Sequence, residues 1–324
     1  MYTVLTKIET HPTLMRDAFG QALTAAAERD DRVVALDADL ASAFGLSDFF
    51  RRFPGRAIQC GIAEANMVGV AAGLSSVGKI PFAHSFGCFT SRRACDQIMI
   101  SGAYAKLNLR LIGSDPGITA AHNGGTHMPF EDIGVLRSIP RITILDLTDP
   151  VLLGDIVDQL AGDKYYGVYY MRFPRKNAKG IYAPGSTFEI GKGNLLRGGA
   201  DVTIIAAGIM VAPALSAADA LAADGISARV IDLFTIKPVD ADIIARAAAE
   251  TGAIVTAENH NVYGGLGSAV AECVVRTQPV PIEMVGVDDR FGQVGSENFL
   301  LKEYDLTPEH IVRAAKLAVQ RKNG

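Results

Sequence analysis

Short apolar runs rich in valine and isoleucine alternate along this chain with alanine-rich stretches of helical periodicity. Runs too apolar to alternate suit strands buried on both faces, which points to parallel sheets covered by helices. A first block spans 14–177. Its pattern predicts helix Met15–Arg29, strands Arg32–Leu36 and Ala57–Cys60, helix Ala63–Ser76, strand Ile80–Ser85, helix Arg92–Ala105 and strand Leu107–Gly113. Strand Ile142–Leu147, helix Val151–Leu160 and strand Val168–Arg172 complete it. A second block spans 188–324, with strands at Val202–Ala207, Ala228–Asp232, Ala253–Glu258 and Ile282–Val287. Its helices are expected at Ala212–Ala223, Ala241–Glu250, Gly265–Arg276 and Pro308–Gln320. Gly225 suits a helix C-terminus, and Thr307–Pro308 suits a cap and first turn. Between the blocks, 178–187 carries two glycines and a proline and reads as a linker. The expectation is α/β, with two consecutive domains, each a mostly parallel sheet with helices on both faces.

Composition narrows the function classes. A net charge of −4 leaves no basic surplus for a nucleic-acid backbone or an anionic membrane. No apolar run is long enough to span a bilayer, and the first residues lack the apolar core of a secretory signal. Cys60, Cys88, Cys95 and Cys273 form no C-x-x-C pair and do not cluster with histidines. That argues against a zinc site or a disulfide framework, and for reduced thiols in a cytoplasm.

Four segments carry candidate chemistry. CGIAEANMVGVAAGL, Cys60–Leu74, is apolar on nearly every face after Gly61, which predicts a buried helix. Glu64 lies in its first turn, where the helix dipole favours negative charge. A buried carboxylate must be paired, protonated or ligand-bound, so a capping role and a binding role both fit. In HSFGCFTSRRACDQI, Phe86 and Phe89 lie at the exit of a strand, spaced to offer a ring face to a planar ligand or to fill core. The long segment Ser114–Pro140 follows a strand and holds glycines, His122 and His127. Open α/β sheets bind ligands at the carboxyl ends of strands, so these histidines are acid–base or phosphate-binding candidates, or simply solvated. GGLGSAVAE, Gly264–Glu272, resembles a phosphate-cradling loop but lacks the P-loop lysine; close helix–strand packing explains it as well.

In this order and spacing the segments resemble the transketolase family: its pyrimidine-binding domain followed by its C-terminal domain. GIAEANMVGVAAGLSSVGKIPFAHSF, DPGITAAHNGGTHMPFEDIGVLRSIPRITILDLTD and FGQVGSENFLLKEYDLTPEHIVRAAK carry the likeness, from about Met15 to Lys316. The resemblance implies thiamine diphosphate as cofactor and transfer of a two-carbon ketol unit from a ketose phosphate to an aldose phosphate. The family's GDG motif for diphosphate and Mg2+ occurs nowhere in this sequence. The implied partner is therefore an N-terminal transketolase subunit carrying that site, with two copies of each chain and at least a homodimer of this one. By resemblance, Glu64 bonds the aminopyrimidine nitrogen, Phe89 stacks on the ring, Phe86 is its neighbour, and Ile62 flanks the cofactor. His127 reads the donor sugar's hydroxyls and serves in catalysis. Arg16 and Arg175 grip the sugar's phosphate, and Asp39 lies near the dimer interface.

Three departures fall at the substrate end. Ala121-His122-Asn123-Gly124 replaces the family's G-E-D-G, so Asn123 stands for the acid that reads the acceptor's hydroxyl. Asp115 stands where many members place a phosphate-contacting histidine, and Ala43 where a serine often helps. These changes point to an unusual sugar, branched or modified, such as apulose 4-phosphate. Two other readings compete: the beta subunit of a 2-oxo acid dehydrogenase, and a non-catalytic regulatory subunit of the same fold.

Overall fold

The computed structural model describes all residues, Met1–Gly324. The first sheet is built from β1 (Val33–Asp37), β2 (Ala57–Gln59), β3 (Ile80–Phe86), β4 (Leu109–Ser114), β5 (Ile142–Asp146) and β6 (Val168–Phe173). The second holds β7 (Asn194–Arg197), β8 (Val202–Ala206), β9 (Ala228–Asp232), β11 (Ile254–Asn261) and β12 (Ile282–Val287), while β10 (Thr235–Lys237) crosses back to the first. The strand orders are β10-β5-β6-β4-β3-β1-β2 and β12-β11-β8-β9-β7. All pairings are parallel except β10 on β5 and β7 on β9. β1, β3, β4, β6 and β8 are buried at every residue, as strands covered by helices on both faces must be. The fold class is thus the one the apolar runs predict.

Several local expectations are corrected. The helix expected over Arg92–Ala105 starts earlier and is irregular: π-helical turns at Phe89–Arg93 and Ile98–Tyr104 flank a short α-turn, Cys95–Gln97. Helices Ser47–Arg52, Asp132–Arg137 and Glu297–Glu303, and strands β7 and β10, were absent from the sequence pattern. Helix Glu64–Ser76 buries one face only, through Glu64, Met67, Val68, Ala71, Ala72 and Ser75. Its other face leaves Asn66, Gly69 and Gly73 exposed, because no element of this chain packs against it.

The segment joining the two sheets is a packed strap. Ile181 and Tyr182 are fully buried, and their N–H groups donate to Asp149 Oδ2 at 2.8 and 2.9 Å. The first residues lie along it, with bridges Val4–Tyr182 and Thr10–Lys179. Helix Pro308–Asn323 begins where expected, although the Thr307 hydroxyl meets the His310 ring rather than a backbone N–H.

Candidate functional site

The carboxyl ends of β1, β3, β4 and β6 open on one edge of the first sheet, where an α/β sheet binds its ligands. Phe86 ends β3, and Asp39, Phe89, Asp115 and Arg175 lie within three residues after those ends. Glu64 lies in the first turn of its helix and is 1% exposed. Its surroundings are not purely apolar: Ser85 Oγ donates to Oε1 at 2.8 Å and Arg93 to Oε2 at 2.6 Å. The same Arg93 guanidinium lies over the Phe89 ring, 4.1 Å from its centroid.

From Phe89 the contacts run on without a gap. Phe86 and Phe89 meet edge to face at 6.0 Å, and the His127 ring stands edge-on to both, at 5.2 and 5.1 Å. Thr126 Oγ1 engages His127 Nδ1 at 2.9 Å, which leaves Nε2 for a ligand. The Arg175 guanidinium lies 4.9 Å from the Phe86 ring and is bonded to Asp115. Arg16 is next in the row, its backbone N–H donating to Arg175 O at 3.3 Å and its side chain to Ala43 O. One row of residues therefore leads from a buried carboxylate, past an aromatic corner, to two arginines.

The remaining candidates sit around this row. Asn123 and His122 are exposed on the loop that carries His127. Ile62 is 74% exposed at the open end of the Glu64 helix. Asp39 is exposed, with its N–H donating to Gln59 Oε1. Sequence reasoning missed Arg93 and Ser85, although both lie in a segment it singled out. It also missed His84, buried against Phe44 with ring centroids 3.6 Å apart and held between Asp37 at 2.9 Å and Ser114 at 3.3 Å.

The loop is strained at two points. Asp115 has φ +51 and Ala121 has φ +47, both left-handed without being glycine. Such strain gathers at functional loops and persists only where the surroundings enforce it. Enforcement comes from the second sheet: Asn259 Oδ1 accepts from Ile118 N at 3.0 Å, and its amide donates to Pro116 O at 2.8 Å.

The glycine-rich loop does not offer a phosphate cradle. Glu258 occupies that place, accepting from Leu266 N at 2.7 Å and Gly267 N at 2.8 Å at the helix N-terminus. A Cβ on Gly265 would fall 1.9 Å from Glu258 Oε2, so glycine is required for this close approach. Burial pushes the Glu258 carboxyl up to about 7.

Residues 11–180 match the family described as transketolase, pyrimidine binding domain, and residues 191–311 match transketolase, C-terminal domain. 6-Deoxy-6-sulfo-D-fructose transketolase subunit SqwH of Clostridium sp. (strain MSTE9) is 50% identical over 98% of this chain and 97% of its own. One of the subunits of the apulose-4-phosphate transketolase of Phocaeicola vulgatus is 36% identical over 93% and 96%. A solved structure described as a split-gene transketolase, an inactive β4 tetramer, superposes with a TM-score of 0.89 at 41% identity, covering 95% of this chain and 99% of that one.

Proposed function

Because this chain belongs to the transketolase family and is similar to the C-terminal subunits of its split enzymes, we propose that it is the pyrimidine-side subunit of a two-chain transketolase. It transfers a two-carbon ketol unit from a ketose with an anionic end group to an aldose. The observation that carries this is the unbroken row from Glu64 through Phe89, His127 and Phe86 to Arg175 and Arg16.

A buried carboxylate beside a partly exposed ring face fits the aminopyrimidine of thiamine diphosphate. When bound, that cofactor supplies the carbon nucleophile for breaking and making carbon–carbon bonds. Arg93 now holds both contacts the pyrimidine would use, so its guanidinium must swing aside. Glu64 Oε2 is then free to hold or receive a proton at the ring nitrogen, while Ser85 keeps Oε1 in place. Phe89 gives the stacking face, Phe86 backs it, and Ile62 covers the side open to a second chain. His127 Nε2 reaches the donor's hydroxyls, and Asn123 meets the acceptor. Arg16 and Arg175, with Asp115 behind the latter, bind the anionic terminus. One relative is described as a 6-deoxy-6-sulfo-D-fructose transketolase subunit and the other as an apulose-4-phosphate transketolase subunit, so the end group here is a sulfonate or a phosphate.

No group of three or more His, Cys, Asp or Glu is placed to hold a metal ion. We assign the diphosphate and Mg2+ to an N-terminal partner subunit, with two copies of each chain. The uncovered face of the Glu64 helix, from Ile62 through Asn66, Gly69 and Gly73 to Val77, gives another chain a close approach. Four unpaired cysteines suit a reducing cytoplasm, and no helix is long and apolar enough to cross a membrane.

The test is ketol transfer by the reconstituted pair with thiamine diphosphate and Mg2+, on a panel of ketoses. Activity abolished by Glu64→Ala supports the reading. Decarboxylation of a 2-oxo acid without ketol transfer would move the chain to the dehydrogenase branch, and cofactor binding without any turnover to a regulatory role.

A further inference from the structure

Asp115 is 2% exposed and spends both carboxylate oxygens on Arg175. Oδ1 accepts the backbone N–H at 2.8 Å, and Oδ2 accepts Nε–H at 2.7 Å. The terminal nitrogens of Arg175 make no hydrogen bond within the chain, and its side chain is 21% exposed. Its outer edge therefore stays open to a ligand while its charge is offset from behind.

The neighbouring charges complete the picture. Arg16 lies beside Arg175; Asp17 is 3.5 Å from it, but both side chains are about two-fifths exposed and water screens the pair. Lys176 is exposed, and the half-buried Glu297 interacts with both Lys176 and Asp115. His84, behind Ser114, is buried, and burial pushes its imidazole below the usual range, so it adds no charge at neutral pH. Arg175 is thus offset by Asp115 and Lys176 by Glu297, and Arg16, opposed only by the screened Asp17, is the remaining cation of the cluster.

We infer that Asp115 selects a substrate with a terminal monoanion, a sulfonate, over one with a terminal phosphate dianion. A phosphate ester carries about −1.5 to −2 charges at neutral pH, with a second pKa near 6. A sulfonate carries a single negative charge throughout. The phosphate's second charge would lie across the Arg175 guanidinium from the Asp115 carboxylate, with no further cation to balance it. One close like-charge interaction of this kind costs on the order of one pK unit, about tenfold in affinity. The inference rests on the ketol-transfer reading above.

Its test uses the reconstituted two-chain enzyme with thiamine diphosphate, Mg2+ and two donors differing only in the end group, 6-deoxy-6-sulfofructose and fructose 6-phosphate. The wild type favours the sulfonate, and its phosphate-to-sulfonate ratio of kcat/KM rises as pH falls through about 6, where the phosphate becomes a monoanion. Protonation of Glu297 relieves a dianion more than a monoanion and moves the ratio the same way, so the ratio is also followed in Glu297→Gln, where the titration of the phosphate itself remains. Asp115→Asn keeps a residue that tolerates the left-handed backbone, raises the ratio about tenfold through KM and flattens its pH dependence. A wild type that prefers the phosphate, or a ratio that ignores both pH and Asp115→Asn, would overturn the inference and leave ketol transfer standing. Turnover of neither donor would overturn both.

Discussion

Arg93 shows how much one side chain decides. Its guanidinium neutralises the buried Glu64 and covers Phe89, so the free chain is stabilised in a form that any ligand of Glu64 and Phe89, including the proposed cofactor, has to displace. Arg93→Ala leaves Glu64 with Ser85 alone. Because Arg93 is about half exposed, the loss is moderated by solvent, and we predict roughly 1–2 kcal/mol lower stability of the isolated chain. Thermal unfolding checks this; an unchanged midpoint would mean the pair contributes nothing. The residue was not legible in the sequence, where Arg92 and Arg93 are equivalent. The π-helical turn Phe89–Arg93 shifts the register by one residue, and a wheel drawn at ordinary helical spacing misplaces the residues beyond it. Glu64 itself was legible, since a lone carboxylate in the first turn of an apolar helix requires a partner. Its partner was not.

Among the elements, the central strands announce themselves. Val202–Ala206 is a continuous apolar or small run because both faces are covered, and Leu109–Ser114 is one except for Arg110, whose buried guanidinium bonds backbone carbonyls. The edges do not. β7 and β10 are short, antiparallel and flanked by turns, and their pairing depends on contacts distant in sequence. The site loop after β4 belongs to this class, for its conformation is imposed from the second sheet through Asn259. Asn259→Ala leaves Ile118 N without a partner in a buried place, while Pro116 O keeps Thr119 N and Thr119 Oγ1. A loss of roughly 1–3 kcal/mol is expected from that one group, measured by chemical denaturation. A loss below about 0.5 kcal/mol, with substrate KM unchanged, would show that the loop holds its shape alone.

At the scale of the whole molecule, the two sheets are joined through buried charge. Arg172 on β6 lies between Asp132 and Asp146 and donates to Asn259 O on β11. Asp232 on β9 accepts from Tyr182 of the strap and from Thr148. Burial pushes Asp146 up to about 6 and Asp232 up to about 7, and pushes His260 down to about 4. A carboxyl whose folded value is raised binds more protons folded than unfolded. Its contribution is full below the unfolded value near 3.8 and is lost as pH rises through about 7. Asp232→Asn removes that contribution. The difference in unfolding midpoint between wild type and variant should therefore move in the variant's favour from about pH 5 to about pH 8. A constant difference would place Asp232 outside the titrating set. No pattern in the sequence shows this network, because its members come from strands paired only in the finished fold.

The central claim is that the chain is half of a ketol transferase. The direct measurement titrates it against the N-terminal, GDG-bearing subunit at fixed thiamine diphosphate, Mg2+ and ketose donor. Transfer should rise from background to a plateau at one partner per chain, and Glu64→Ala should stay at background across the titration. Transfer by the chain alone, or none at any ratio on any ketose, would contradict the account.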